Sequence, residues 1–426
     1  MGFSEWREVE LKDLCEYSRE RIPVKNIKLS NYISTENMLK NKEGIEMASK
    51  LPSKGSVIKY EKGDILLSNI RPYFKKIWRS TNNGGASNDV LVIKKNKNND
   101  CNNDYLYYYL CKDDFFEYVM AGAKGTKMPR GDKNHIMRYM IKLPPLEEQE
   151  AIANILSTLD EKIEVNNQIN KTLEEMAQAI FKHWFVDFEF PNENGEPYKS
   201  SGGEMVESEL GMIPKKWEIV EIGELCKAQI GGDWGKDERF INSVPAVCLR
   251  GTDLQKLKEL GFSREAPIRW VKKNSIEKRR ISELDILIGG SGLGPVGRSL
   301  CYSNNFERLY DYPITYSNFC KRIRAINRPM AIYLEQIIEG LHKTNEIKHY
   351  VNGTSVPNLD IKGLLKHKII KPDNEVIEAF SVIKENYFNY KYSKENLILS
   401  QIRNTLLPKL MSGEIRVPIK SGSEIS

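Results

Sequence analysis

The sequence carries one ordered set of short motifs twice, and this repetition restricts the possible folds more than any other feature. The stretch WREVELKDLC at residues 6–15 recurs 211 residues later as WEIVEIGELC at 217–226. KGDILLSNIR, around Asp64, then recurs as ELDILIGGSG, around Asp285, and GTKMPRGD at 125–132 recurs as GTSVPNLD at 353–360. The motifs keep their order and internal spacing while the intervals between them lengthen. This is typical of a duplicated domain with variable loops.

Each copy mixes strand-like and helical stretches. The strand-like runs are 64–67, 90–93, 244–249 and 285–288, and the helical stretches are 103–120 and 331–343. Turn-rich connections separate them. The pattern predicts a mixed α/β (α+β) globule with a small twisted sheet, present twice.

Each copy is followed by a long stretch with helical periodicity. No proline or glycine occurs between the Pro-Pro pair at 144–145 and Trp184, which allows a helix of roughly 60 Å. A similar stretch follows Pro372. Apolar positions step alternately by four and three residues. They include Ile152, Leu156, Leu159, Ile163, Leu173 and Ile180 in the first stretch, and Phe380, Ile383, Tyr387 and Leu397 in the second.

Two such helices predict an antiparallel coiled coil, because a pseudo-twofold axis between the copies would bring the apolar faces together. The alternative is that each helix packs separately on its own globule. Asn166 and Asn170 lie on the stripe of the first helix and are predicted to fix its register. The predicted segments are a first globule (1–143), a spacer helix (144–189), a flexible linker (190–210), a second globule (211–372), a second spacer helix (373–415) and a tail (416–426).

Charge is segregated along the chain. The net charge is +8 over residues 1–143, −7 over 144–189, −4 over 190–209 and +9 over 210–372. Basic blocks of this size fit polyanion binding, whereas an acidic helix would repel a phosphate backbone. Two mildly basic globules without such a role would give the same charges.

Several classes of protein receive no support from the sequence. The seven cysteines and five histidines are scattered, which favours buried thiols and argues against a metal site. The absence of a signal peptide and of any long apolar run predicts a cytoplasmic protein with no membrane segment. Gly292-x-Gly294-x-x-Gly297 formally fits a dinucleotide-binding loop, but no helical period follows it. No Walker A loop and no amino-methyltransferase tetrad occurs, so we expect no catalysis by this chain.

Loops that mix basic, aromatic and amide side chains are the candidate binding elements. Lysine and arginine neutralise phosphates, and arginine, asparagine and glutamine read base edges. For any one of these residues a solvated surface charge is the simpler interpretation, but as a set on two repeated globules they favour DNA binding. The candidates are Arg71, Tyr73, Lys75, Lys76, Lys127, Arg130, Trp234, Lys236, Arg239, Lys272, Lys273, Arg279, Arg280 and Arg298.

Four ordered motifs accompany the duplicated globules. They are LPPLEEQ at 143–149, AIFKHWF at 179–185, LGMIP at 210–214 and LLPKLMSGEI at 406–415. With these motifs the chain resembles, over nearly its whole length, the specificity subunit of type I restriction–modification systems. One departure is that the second helix begins KPDN rather than PPLEEQ, so the two helix starts need not bind a partner in the same way.

The resemblance implies a non-catalytic reader of double-stranded DNA, with two target-recognition domains that each read half of a split sequence. Two modification subunits carrying S-adenosylmethionine would dock on it and methylate adenine. Restriction subunits using ATP and Mg would join them, and no cofactor would bind this chain. The implied partner and spacer positions include Glu147 and Gln149 with the apolar stripes given above.

Two other functions stay open from the residues alone. One is a coiled-coil scaffold whose basic globules are not specific for a DNA sequence. The other is an enzyme whose site follows no known motif. Preference for one bipartite duplex would separate the first from the specificity subunit, and activity of the isolated chain would support the second.

Overall fold

The computed structural model describes residues 5–96, 100–353 and 355–418. The chain divides into two compact units: Met1–Ile163 with Leu397–Ser426, and Glu164–Asn396. The predicted spacer at 144–189 is thereby shared between the units, because its apolar side chains belong to their cores. Of the predicted tail, residues 419–426 lie outside the described residues.

The first unit is built from ten short strands and several helices. In chain order these are β1 (Arg7–Glu10), α1 (Leu11–Leu14), β2 (Cys15–Tyr17), β3 (Arg21–Pro23), β4 (Tyr32–Ile33), β5 (Ser56–Tyr60), β6 (Ile65–Ser68), β7 (Ile77–Arg79), β8 (Gly84–Ala86), β9 (Val90–Lys95), α2 (Asn103–Leu110), α3 (Asp113–Ala121), α4 (Lys133–Ile136), β10 (Met140–Leu143) and the first part of α5 (Leu146–Phe185). Short 3₁₀ turns occur at Val24–Asn26, Leu29–Asn31, Lys40–Lys42 and Pro72–Phe74.

The strands of the first unit form two four-stranded sheets and one pair. The sheets have the orders β2-β9-β6-β7 and β3-β5-β8-β4, and β1 pairs with β10. The first sheet is antiparallel, and β4 lies parallel to β8 in the second. Helices α2 and α3 cover the first sheet with buried aromatic side chains such as Tyr105 and Phe115.

The second unit repeats this plan with changes. Its elements are the rest of α5, β11 (Met205–Ser208), β12 (Gly211–Pro214), β13 (Glu218–Glu221), α6 (Ile222–Leu225), β14 (Cys226–Ala228), β15 (Ser243–Leu249), α7 (Gly251–Leu260), β16 (Ile268–Lys272), α8 (Lys273–Lys278), β17 (Asp285–Gly289), β18 (Ser299–Cys301), β19 (Ile314–Tyr316), β20 (Cys320–Ala325), α9 (Arg328–Lys343), β21 (Val351–Asn352), β22 (Asn358–Leu359), α10 (Ile361–Leu365), β23 (Lys368–Lys371) and α11 (Asn374–Lys391). The 3₁₀ turns are Asn304–Arg308 and Glu346–Tyr350, and α12 (Glu395–Ser412) leads back to the first unit.

The sequence repeat corresponds to a repeated topology. The sheet β14-β20-β17-β18 has the strand order of β2-β9-β6-β7, and β13 pairs with β23 as β1 pairs with β10. The motif that opens each copy also repeats in atomic detail: the Cys15 thiol donates to the Leu11 carbonyl and the Cys226 thiol to the Ile222 carbonyl, each at 3.3 Å. The duplicated domain predicted from the motifs is present in the structure.

Within the first unit, the start of α5 packs against α12. Ile152 and Leu156 share a buried cluster with Leu410 and Met411. Further along, Arg403 pairs with Asp160 at 2.5 Å. Since the residue numbers on α12 fall as those on α5 rise, the two segments run antiparallel.

Within the second unit, the later part of α5 packs against α11. The Phe181 and Phe380 rings lie 5.5 Å apart, and the Tyr387 hydroxyl donates to Glu174. These pairs also run antiparallel. In both units the long helices pack against each other and against the globule, which combines the two packing alternatives open from the sequence.

The second long helix, predicted as continuous over 373–415, is two helices. Helix α11 ends at Lys391, and Tyr392 leaves helical geometry at φ −94° and ψ 22°. The buried Tyr392 ring packs edge-on against Phe306, with centroids 4.5 Å apart. This tertiary contact accompanies a break that the apolar periodicity does not reveal.

The segment predicted as a flexible linker at 190–210 is instead a packed part of the second unit. The Phe190 ring is buried, stacked between Tyr198 at 4.6 Å and Trp217 at 4.9 Å. Strand β11 pairs with β12 in an antiparallel hairpin that crosses the predicted boundary at 210. Apolar contacts therefore hold a stretch whose proline, glycine and serine content suggested a tether.

Candidate nucleic-acid interface

Two loops of the first unit are tied together by backbone hydrogen bonds, although they are about sixty residues apart in the sequence. The loop after β6 donates from Arg71 N to the Pro129 carbonyl at 2.8 Å, and the loop before α4 donates from Gly131 N to the Asn69 carbonyl at 3.1 Å. Asn69 N in turn donates to the Asp89 carbonyl at 2.9 Å. We call this arrangement of residues 69–71, 89 and 129–131 the first paired-loop frame.

The first frame contains the candidates Arg71 and Arg130, and the other candidates predicted in this unit lie on the same two loops. Tyr73 and Lys127 are exposed. Arg130 pairs with Asp89 at 3.0 Å, and Lys75 pairs with Asp113 at 2.9 Å. The frame therefore presents a mixed, mainly basic surface around one aromatic ring.

Lys76, unlike the exposed candidates, is held by a hydrogen bond within the unit. Its ammonium donates to the Thr35 carbonyl at 2.6 Å, and burial lowers its pKa. Lys40, which the sequence did not single out, places its ammonium 4.4 Å from the centroid of the Phe74 ring. The Phe74 ring is thus already covered by lysines of the same unit.

The second unit contains the same frame. Gly292 N donates to the Pro357 carbonyl at 3.1 Å, Leu359 N to Gly290 at 2.8 Å, and Gly290 N to Phe319 at 2.7 Å. Gly292 has a left-handed backbone (φ +99°), as does Arg71 (φ 50°) at the equivalent place. Residues 290–292, 319 and 357–359 form the second paired-loop frame. The formal dinucleotide motif lies in this loop and leads into strand β18 rather than into a helix.

The side chains on the two frames differ although their backbones correspond. Arg71, Asp89 and Arg130 of the first frame are replaced by Gly292, Phe319 and Asn358 in the second. Leu293, Phe319 and Val356 are exposed large apolar side chains around the second frame. A retained backbone that carries different side chains is what two recognition surfaces of different specificity require.

A basic and aromatic cluster lies beside strands β15 and β16 of the second unit. The Arg269 guanidinium lies 4.5 Å from the Trp234 ring centroid and donates to the Trp234 carbonyl at 3.0 Å. Lys236 and Trp270 exchange backbone hydrogen bonds of 2.9 Å, and Arg239 lies 5.9 Å from the Trp270 ring. The candidates Trp234, Lys236 and Arg239 therefore lie together. Arg269 holds them in place, and its β-strand position gave no sign of this role.

A second group of predicted residues joins this cluster through Asp233. Ser275 donates to Asp233 at 2.5 Å, and Arg279 donates to Ser275 and to the Gly231 carbonyl, both at 2.7 Å. Burial alone would raise the pKa of Asp233, but the Ser275 hydrogen bond and the nearby arginine lower it overall. The remaining predicted residues here, Lys272, Lys273 and Arg280, are exposed.

Arg298 is separate from this group. Its backbone closes the second loop, since Gly289 N donates to the Arg298 carbonyl at 2.8 Å. Its charge lies beside His342 of α9, where burial first and then Arg298 lower the His342 pKa. The prediction grouped Arg298 with the basic loops, but its charge lies near helix α9.

The positions predicted for partner binding are mostly internal. The fully buried Gln149 accepts from Asn102 N at 2.7 Å and donates to the Asp100 and Pro144 carbonyls at 2.9 and 2.8 Å. Glu147 is exposed. The apolar positions pack inside the units: Ile152, Leu156, Phe380 and Tyr387 are buried, and Leu159, Ile163, Leu173, Ile180, Ile383 and Leu397 are partly buried. The prediction of Gln149, Ile152 and Leu156 as surface contacts for a partner is therefore wrong, because their side chains are buried within the unit.

The described ranges contain no group of three potential metal-binding side chains. In the same ranges, no helix is long and apolar enough to cross a membrane. Two frames on two versions of one globule, each with a long helix, define a protein with two related recognition surfaces.

Comparison with known families identifies this class. Residues 3–175 match the type I restriction modification DNA specificity domain. The chain is 25% identical over 315 residues to the MjaIX specificity subunit of Methanocaldococcus jannaschii, an alignment that covers 71% of this chain and 66% of that protein. It is 26% identical to the HindI specificity subunit of Haemophilus influenzae, covering 97% of this chain and all of that protein. The chain is thus similar to type I restriction–modification specificity subunits over nearly its whole length.

A solved structure agrees with the fold. The S subunit from M. genitalium superimposes with a TM-score of 0.51 at 15% identity, covering 96% of each chain. At this identity the similarity concerns the fold. The mixed α/β architecture predicted from the sequence is confirmed.

Proposed function

We propose that each paired-loop frame reads one half of a bipartite DNA target. The observation that carries this proposal is the repeated set of three backbone hydrogen bonds, in each unit 2.7 to 3.1 Å long, beneath side chains that differ between the copies. Identical backbones place the side chains similarly against a groove. Different side chains then select different bases. The basic side chains around both frames supply phosphate contacts, which fix register.

The long helices fit the role of a spacer that also serves as a docking element. The acidic character of the first helix, with a net charge of −7 over residues 144–189, disfavours its direct contact with phosphates. We infer that this chain is non-catalytic and that modification and restriction subunits supply S-adenosylmethionine, ATP and Mg for methylation and cleavage. The exposed Glu147 at the start of α5 is the predicted partner position that is free to meet a modification subunit.

The test is selection of duplexes from a random pool by the full chain in complex with its modification subunits. The expected result is one bipartite sequence with a fixed gap, and scrambling either half should remove the preference. Equal retention of all duplexes would instead support a scaffold that does not read sequence. Methyl transfer by the isolated chain would contradict the non-catalytic assignment.

A further inference from the structure

Three large apolar side chains surround the second paired-loop frame and face solvent. Leu293 is 83% exposed, Val356 67% and Phe319 57%. Isolated exposed apolar residues are ordinary on protein surfaces, but a group of them marks a binding site. These three belong to a group, because the frame joins their loops: Phe319 accepts from Gly290, and Gly292 donates to Pro357, the neighbour of Val356.

The first frame differs most at one of these three places, where Asp89 corresponds to Phe319, while Pro72 corresponds to Leu293 and the exposed Met128 to Val356. Asp89 and Arg130, which pair at 3.0 Å, stand where the second frame has Phe319 and Asn358. The backbone bonds are retained, so the fold itself does not require an aromatic side chain at position 319. The exposed Phe319, together with the high exposure of Leu293 and Val356, therefore points to the ligand of the second frame.

The second frame is continuous with the basic cluster of its own unit. Arg279 donates to the Gly231 carbonyl at 2.7 Å, Asp233 N donates to Tyr316 at 3.0 Å, and Phe319 N donates to the Ser317 hydroxyl at 3.3 Å. The apolar tips thus adjoin cations suited to phosphates. A ligand that covers both must combine a polyanionic backbone with small apolar groups.

We propose that Leu293, Phe319 and Val356 contact the C5-methyl groups of thymine in the major groove of the half-site read by the second unit. Thymine is the one ordinary DNA base that presents a methyl group there, and apolar side chains recognise it. The first frame, with Arg71 and Arg130, has the donors that suit guanine instead. This inference rests on the proposed function, since it names the bases that one frame selects.

The experiment replaces thymine by deoxyuridine in the selected duplex, one half-site at a time, which removes only the methyl groups. The full chain with its modification subunits should bind the duplex about fourfold more weakly for each contacted methyl in one half-site. A Leu293→Ser/Phe319→Ser variant should discriminate less between the thymine and deoxyuridine forms of that half-site, because only Val356 of the three apolar side chains remains. Ile326→Ser is the matched control, since Ile326 is an exposed apolar residue just beyond the opposite end of β20, and it should keep the discrimination.

Three outcomes would overturn the inference while leaving bipartite recognition intact. These are equal binding of thymine and deoxyuridine in both half-sites, unchanged discrimination in the double variant, or a selected sequence without thymine. Loss of modification-subunit binding in the double variant, with thymine discrimination retained, would assign the apolar tips to a protein partner. Failure to select any sequence would instead reject the proposed function.

Discussion

Arg71 combines two features that are unfavourable in the free protein. Its backbone is left-handed, which costs a non-glycine residue roughly 1 kcal/mol, and its buried Nε has no hydrogen-bond partner among the described residues. The equivalent residue, Gly292, avoids both. We propose that an arginine at this place contacts bound DNA.

We therefore predict that Arg71→Gly separates stability from recognition. The free energy of unfolding should stay equal or rise by about 1 kcal/mol, because strain and an unpaired donor are removed. Preference for the target over a scrambled duplex should fall roughly 10- to 100-fold. Urea unfolding and competition binding measure the two effects. A destabilised variant with normal preference would assign Arg71 a structural role.

Lys127 tests the phosphate contacts of the same frame. It is exposed on the second loop, whereas Lys75 and Lys76 are already held by Asp113 and the Thr35 carbonyl. Lys127→Ala should weaken binding to all duplexes alike and lower the slope of log affinity against log salt by about 0.9. Lys142→Ala on β10 is the control and should leave the slope unchanged. An unaltered slope for Lys127→Ala would remove Lys127 from the contacts.

The sequence predicted candidate loops for the interface but not how they are joined. Loops rich in lysine, arginine and aromatic residues can be read from composition, and Trp234, Lys236 and Arg239 do lie together. The bonds from Arg71 to Pro129 and from Gly292 to Pro357 connect residues 58 and 65 positions apart, and no local pattern predicts them. Arg298 and Gln149 differ from prediction for a similar reason: tertiary contacts determine which way each side chain is used.

Asn166 and Asn170 lie four residues apart on α5, but their side chains differ in hydrogen bonding. Asn166 donates to the side chains of Glu395 at 2.9 Å and Asn396 at 2.8 Å, at the start of α12. Asn170 Oδ1 is buried without a partner in the described structure. Of the two, only Asn166 has the contacts expected of a residue that fixes register.

Leucine substitutions at these two positions form a matched pair. Asn170→Leu should stabilise the second unit by about 1 kcal/mol, because it removes a buried unpaired acceptor. Asn166→Leu should destabilise it by about 1–3 kcal/mol, because it leaves polar partners unmatched at the helix start. Thermal unfolding of both variants gives the comparison. Stabilisation by Asn166→Leu would argue against its role in register.

Helix α11 buries two lysines against α5. Burial lowers the pKa of Lys391 to about 8, although Glu174, 3.9 Å from its ammonium, acts in the opposite direction. Lys384 is shifted downward by burial as well. Between about pH 8 and pH 10 the unfolded chain therefore holds a proton at Lys391 that the folded chain has lost. This one group makes the folded state more stable as pH rises through that window.

Lys391→Met should remove this pH dependence. At pH 7 the variant should be more stable than wild type by a few kcal/mol, and the difference should shrink toward pH 10. The measured quantity is the difference between the two proteins, because burial raises the pKa of seven cysteines and so gives both proteins the same additional pH dependence of stability. Lys394→Met, at an exposed position nearby, is the control. A constant difference from pH 7 to pH 10 would contradict the burial effect.

The long helices show which helix ends apolar periodicity predicts and which it does not. Uninterrupted helical spacing after Pro145 predicted α5 within a few residues of its ends. It did not predict the break at Tyr392, where the ring contacts Phe306, which is distant in sequence. Nor did it predict that the segment after α5 is packed, through the stacking of Phe190 on Trp217 and the hairpin β11–β12. Local composition identifies helices, and contacts across the fold determine where they stop.

Within the first unit, residues near the two ends of the described chain both bind the start of α5. The buried Glu148 accepts two hydrogen bonds from Arg416, at 2.6 and 2.8 Å, and one from the Trp6 indole at 3.1 Å. In the second unit the residue equivalent to Glu148 is Val376, and Phe190 stacks on Trp217. One copy thus uses a buried ion pair where the other uses apolar packing. The segment before β1, the start of α5 and the end of the described chain are consequently one packed assembly.

If α5 sets the gap between the half-sites, its length should determine the gap. Asp160 meets Arg403, and Asn166 meets Glu395, so seven residues inserted between 160 and 166 and seven between 395 and 403 would preserve both contacts. Each insertion adds about 10.5 Å of helix and keeps nearly the same face toward its partner. At about 3.4 Å per base pair, the preferred gap should lengthen by about three base pairs.

Duplex selection by the complex with its modification subunits measures this gap directly. Both half-site sequences should be unchanged in the double insertion, because the paired-loop frames are untouched. Seven residues inserted at Asn194, in the turn before β11, form the control and should leave the gap as it was. A lengthened α5 that still selects the original gap would show that the spacing is set outside the helices, in the loops or by the modification subunits.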